Sequence, residues 1–166
     1  MLKHKPYIAL FLLIATLFMG QASAQPVIAP SKSAKYNLQI DARKSHFSGM
    51  VIARPTANGP RVLATSYFGP TIFDFTLADS LIVNSCVEPM RRPKVIQLLE
   101  RDLRVIFADK NLSKQKSLTA SVEKRKRGAG LGKSVFTVTT DESGNTTQIL
   151  IKHPWIKLRM TLEEIK

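Results

Sequence analysis

Tyr36, Leu38 and Ile40 alternate with Asn37, Gln39 and Asp41, the period of two that a half-buried strand requires. The same alternation predicts strands over Phe47 to Ala53, Arg61 to Tyr67, Thr71 to Leu77 and Leu81 to Val87. Gly49 inside the second run marks a bulge or a point of close backbone approach. Asn58-Gly59 and Gly69-Pro70 supply the turns, and such short connections imply antiparallel neighbours. The period then changes. From Arg92 to Phe107, with Pro93 in the first turn, Val95, Ile96, Leu99, Leu103, Ile106 and Phe107 share one side of a helix. Asp109 to Ser117 reads as a polar loop. Four more strands are predicted over Ser121 to Arg127, Lys133 to Thr140, Thr147 to His153 and Trp155 to Glu163. In the last of them Ile156, Leu158, Met160 and Leu162 alternate with Lys157, Arg159, Thr161 and Glu163.

Five strands, one helix and four strands define an α+β chain. The apolar face of the sheet needs cover, and the helix can give it by lying across the concave side of a curved antiparallel sheet. Residues 35–166 are expected to form this single domain. Residues 25–34, with two Pro and two Ser, read as a flexible leader. Residues 1–24 have the three parts of a cleavable signal peptide in order: Lys3 and Lys5, the apolar run from Ile8 to Met19, and Ala22-Ser23-Ala24. That run is too short to span a bilayer, which takes about 20 apolar residues. No Cys stands at the cleavage site, so the lipid-modified form of the signal is absent.

Export changes the meaning of the charge. A net charge of +13 is compatible with nucleic acid, an anionic membrane or plain solubility. An exported chain meets anionic envelope lipids and not nucleic acid. The basic run Lys124-Arg125-Lys126-Arg127 is the candidate contact with such a surface. Cys86 is the only cysteine, so no internal disulfide can form, and its strand-like setting favours a buried thiol over a nucleophile.

Motifs for catalysis fail on inspection. Gly128 to Ser134 suggests a phosphate loop, but Gly128 is one residue too close to Gly132-Lys133-Ser134, and Val135 to Thr140 is a strand pattern where a helix is required. His46 and His153, with Cys86, are too scattered to read as a metal site, and neither Asp41 with His46 nor His153 with Cys86 can be promoted to a dyad. The expectation is a protein without catalytic residues, metal or cofactor. The aromatic residues Phe68, Phe73, Phe75, Phe107, Phe136 and Trp155 read first as core, and second as walls of an apolar site between helix and sheet.

Several short motifs fall in a familiar order. Ser48-Gly49-Met50-Val51-Ile52 is followed by Arg61-Val62-Leu63-Ala64-Thr65 and by Gly69-Pro70-Thr71-Ile72-Phe73-Asp74-Phe75. Met90-Arg91-Arg92-Pro93-Lys94-Val95-Ile96 and Arg101-Asp102-Leu103-Arg104 come next. This order resembles small exported proteins of the Bacteroidetes group, which are similar in layout to the bacterial lipoprotein carriers and receptors of the Lol family. The resemblance implies a half-open β-barrel with an apolar cavity for acyl chains. It departs from the family in having one helix where carriers have more, and in lacking the lipidated Cys of the receptor form. With the cavity placed by strand and helix pattern, Phe73, Phe75, Leu99, Leu103 and Trp155 are its candidate walls.

The leading expectation is therefore a periplasmic carrier-like protein at the cell envelope, binding acyl lipid or lipoprotein beside an anionic membrane such as the outer membrane. The alternative is a non-enzymatic interaction or scaffold module of an envelope assembly.

Overall fold

The computed structural model describes residues 27–28, 33–42, 45–108 and 115–165. Residues 1–24, expected to be a signal peptide, lie outside them. Among the described residues ten strands form one antiparallel sheet: β1 (Ala34–Ala42), β2 (Ser45–Arg54), β3 (Arg61–Ser66), β4 (Thr71–Leu77), β5 (Leu81–Cys86), β6 (Gln115–Thr119), β7 (Val122–Arg127), β8 (Ser134–Thr140), β9 (Thr146–His153) and β10 (Leu158–Glu164). The one α-helix described, α1 (Pro93–Phe107), stands between β5 and β6. The spatial order is β5-β4-β3-β2-β1-β10-β9-β8-β7-β6. Two meanders are thus joined at β1 and β10, and the sheet curls without closing. The α+β class, the curved antiparallel sheet and the one packed helix are as the hydrophobic pattern predicts.

The period of two sorts the side chains. Tyr36 and Leu38 of β1, Val51 and Ala53 of β2, Phe136 of β8 and Ile151 of β9 all face the helix and are buried. Helix α1 turns Leu99, Leu103, Val105, Ile106 and Phe107 onto that face, and together they make one core. Arg92 caps the helix in extended conformation and Pro93 opens it, where a missing N–H costs nothing. Glu100 and Arg104 bond on its outer side at 2.9 Å.

Gly49 is a point of close approach. A Cβ there would lie 2.1 Å from the Thr65 carbonyl oxygen, so only glycine lets β3 come this near. The register shifts among the described residues lie elsewhere, at Ala64/Thr65, Asp74/Phe75, Ser117/Thr119 and Thr139/Thr140.

Two elements differ from expectation. A tenth strand, β6, begins inside the polar stretch that reads as loop and pairs with β7. The last strand begins at Leu158, because Pro154–Lys157 form the β9–β10 turn and Lys157 takes a positive φ of 53°. The expected strand at Trp155 is thereby corrected. The leader is fastened where it is described: Ile28 N–H donates to the Ile106 carbonyl at 2.8 Å, and the Val27 carbonyl accepts from Thr146 Oγ1 at 3.4 Å.

On the convex face Arg61 makes a forked contact with Asp74, with Nε to Oδ1 at 2.8 Å, and Asn84 adds a donor at 3.2 Å. The Arg61 bond, with Asn84 and the Arg61 charge, holds the Asp74 carboxyl below its usual range against the opposing effect of burial. A depressed native pKa stabilises the fold above the unfolded value and loses that contribution as pH falls through the native one. Asp74→Asn is therefore expected to flatten part of the acid limb of stability. The cost at neutral pH should be small, since Arg61 is one-third exposed and water screens the pair. Urea midpoints of both proteins between neutral and acid pH measure this.

Candidate functional site

Among the described residues, three of the five buried polar side chains converge at one place. Asp102 of α1, Ser134 at the start of β8 and His153 at the end of β9 are each no more than 2% exposed. Ser134 Oγ donates to Asp102 Oδ1 at 3.0 Å, His153 Nε2 lies 2.7 Å from Asp102 Oδ2, and His153 Nδ1 lies 3.3 Å from Ser134 Oγ. Each of the three side chains thus meets the other two. A hydrolytic triad needs a serine that gives its proton to the histidine and a surface that substrate can reach. Here the hydroxyl is committed to the carboxylate, and all three groups are sealed. The triangle fastens the helix to β8 and β9. Two further bonds surround it: Arg101 Nη2 donates to the Gly132 carbonyl at 2.7 Å, and Arg127 Nη1 donates to the Arg101 carbonyl at 3.0 Å.

The glycine turn with its likeness to a phosphate loop is part of this fastening. Gly128 and Gly130 take positive φ, and a Cβ on Gly128 would meet the Gly132 carbonyl oxygen at 2.5 Å. The strand β8 follows the turn directly.

Phe73, Phe75, Leu99 and Leu103, four of the five candidate cavity walls, come together in the core. Phe73 and Phe75 stack with centroids 4.8 Å apart. Trp155 does not join them; it stands 61% exposed on the β9–β10 turn. The basic run is also divided. Lys124 and Lys126 pair with Thr137 and Val135 on the convex face, while Arg125 and Arg127 pair with Phe136 and Ser134 on the concave one. Arg125 there is bonded to Glu123. The four cations therefore do not form one patch.

Apolar cover is uneven along the core. The apolar residues in the C-terminal half of α1 are buried, whereas Val95 and Ile96 in its first turns are half-buried, as are Ile72 of β4 and Met90 before the helix. The stretch of core where the chain passes from β5 into α1 thus has an apolar rim in contact with solvent.

Cys86 is buried, with its thiol facing the Val87 carbonyl at 3.7 Å, and burial pushes its pKa up, away from the thiolate. Asp41 and His46 are cross-strand partners on β1 and β2 with Oδ1 and Nδ1 2.6 Å apart, both well exposed at the side chain. Among the described residues, no three His, Cys, Asp or Glu are gathered as a metal site, and no helix is long and apolar enough to cross a membrane. No protein-family model and no curated protein matches the chain.

Proposed function

We propose that this protein is an exported, non-enzymatic carrier-like module that holds acyl chains of a lipid or lipoprotein between α1 and the concave sheet. The observation that carries this reading is the apolar rim of Ile72, Met90, Val95 and Ile96 beside a core already lined by Phe73, Phe75, Leu99 and Leu103. The polar triangle grips α1 at Asp102, while the first turns carry no side-chain cap. A lifting of those first turns, hinged on the gripped half, would open the apolar lining to a chain entering at the rim. Trp155 lies away from that lining, so it does not report on it. The test is organic extraction and mass spectrometry of the purified protein, followed by displacement of a fluorescent fatty acid. Stoichiometric acyl lipid, with weaker probe binding in Val95→Lys, is expected. A protein that carries no lipid and does not bind the probe overturns the reading.

A second reading, an interaction module of an envelope assembly, has its own support. Among the described residues, edge strand β5 has no sheet partner on its outer side, exposes Ile82 and Val83, and contains neither Pro nor Lys. Edges of that kind accept an added strand.

A further inference from the structure

The β9–β10 turn, Pro154–Lys157, puts the largest aromatic side chain of the protein into solvent. Trp155 is 61% and Ile156 40% exposed. Neither belongs to the core, and an exposed Trp-Ile pair on a tight turn gains nothing from the fold. The strands that carry the turn make the pair more informative. Lys152 and Arg159 stand directly opposite each other across the β9–β10 ladder, both exposed. Like charges in such a pair have Cβ atoms about 4.5–5.5 Å apart and repel. Arg159 has Asp41 on its other side, but that carboxylate is bonded to His46. Lys157 adds a third cation at the turn itself. Asp41, Lys152, Lys157 and Arg159 are among the residues that line an open cleft of about 500 Å³. An anionic group of phosphate size placed there would relieve the repulsion. The same placement would bring Trp155 and Ile156 to the depth where Trp is favoured in a bilayer, the headgroup boundary.

We infer that the β9–β10 turn is a docking site for an anionic lipid bilayer, with Trp155 and Ile156 entering the interface while Lys152, Lys157 and Arg159 hold lipid phosphate. The inference rests on the envelope reading above for its partner, but it concerns a different surface from the acyl-binding lining. It replaces the run Lys124–Arg127, which the sheet divides between two faces, as the site of membrane contact.

Trp155 is the only tryptophan, so its emission reports on this turn alone. The full protein is titrated with vesicles of phosphatidylcholine containing one-third phosphatidylglycerol, with pure phosphatidylcholine vesicles, and with inorganic phosphate alone. A blue shift with the anionic vesicles only, and quenching by bromine placed high on the acyl chains, are expected. Lys152→Gln with Arg159→Gln should lower partitioning roughly 25-fold, about fivefold for each cation at ~1 kcal/mol apiece. Trp155→Ser should remove vesicle sedimentation at an unchanged melting temperature, since the side chain is exposed. Equal shifts with neutral vesicles, a response to inorganic phosphate alone, or full binding by the double variant would each overturn the inference. Extracted acyl content is measured on the same samples. Lipid in the core without docking leaves the carrier standing and removes this site, and docking without core lipid does the reverse.

Discussion

Asp102→Ala is expected to cost about 2–6 kcal/mol of folding stability, since it leaves two buried polar groups short of a partner at about 1–3 kcal/mol each. The carboxylate accepts from both Ser134 and His153, and all three groups are closed to water. Its removal leaves an imidazole and a hydroxyl with one partner each, in a space that water does not fill cheaply. Replacing all three residues by apolar ones of similar size, Asp102→Leu with Ser134→Ala and His153→Leu, should cost clearly less than the single change. Urea unfolding of the two proteins measures the difference. A lower midpoint at unchanged m-value for Asp102→Ala, largely restored in the triple variant, is the expected result. A single variant as stable as the parent would mean that the triangle does not fasten the helix.

Phe107→Ala should be of similar size, about 3–5 kcal/mol. Phe107 is the last residue of α1, is 1% exposed, and its ring lies 6.1 Å from that of Tyr36 on β1. Removing it opens a cavity where the helix end, β1 and the segment at Ile28 meet. A second readout of the same variant comes from Tyr36. Burial, with Glu164 adding to it, pushes the Tyr36 phenol up to about 12. Because that native pKa is raised above the unfolded value of about 10, its contribution is complete below pH ~10 and lost as pH rises through 12. In Phe107→Ala the ring gains solvent, so ultraviolet titration should show its pKa falling back toward that of a free tyrosine.

Most of the sheet is legible in the sequence because β1, β3, β8, β9 and β10 keep the alternation that burial on one face imposes. Strand β6 is not, since Gln115–Thr119 is short and polar and lies at the sheet edge, where no apolar face has to be hidden. The pattern overextends the last strand because Ile156 continues the alternation of Leu158 and Met160 into a turn. Pro154 is the local sign of the break. The division of Lys124 to Arg127 follows from the period of two once the run is placed on a strand; reading it as a patch counts charges without their faces. The polar triangle leaves a clear trace. Asp102 falls on the apolar side of the helix beside Leu99, Leu103 and Ile106. Ser134 is in phase with Phe136 and Val138, and His153 with Ile149 and Ile151. Three polar residues at three core positions must meet partners, and sequence alone does not say that they meet one another.

The joint between β1 and β10 bears on how the chain reaches this state. Of the nine strand pairings among the described residues, the other eight link consecutive strands and can form as each hairpin is completed. The β1–β10 pairing joins Ala34–Ala42 to Leu158–Glu164, the two ends of the domain. A chain made from its N-terminus therefore leaves this side of β1 bare until β10 has been made. During that interval Tyr36, Leu38 and Ile40 offer an unpaired strand to any neighbour with an edge of its own. Strand β10 thus completes the described sheet and also withdraws its most central edge from misassembly.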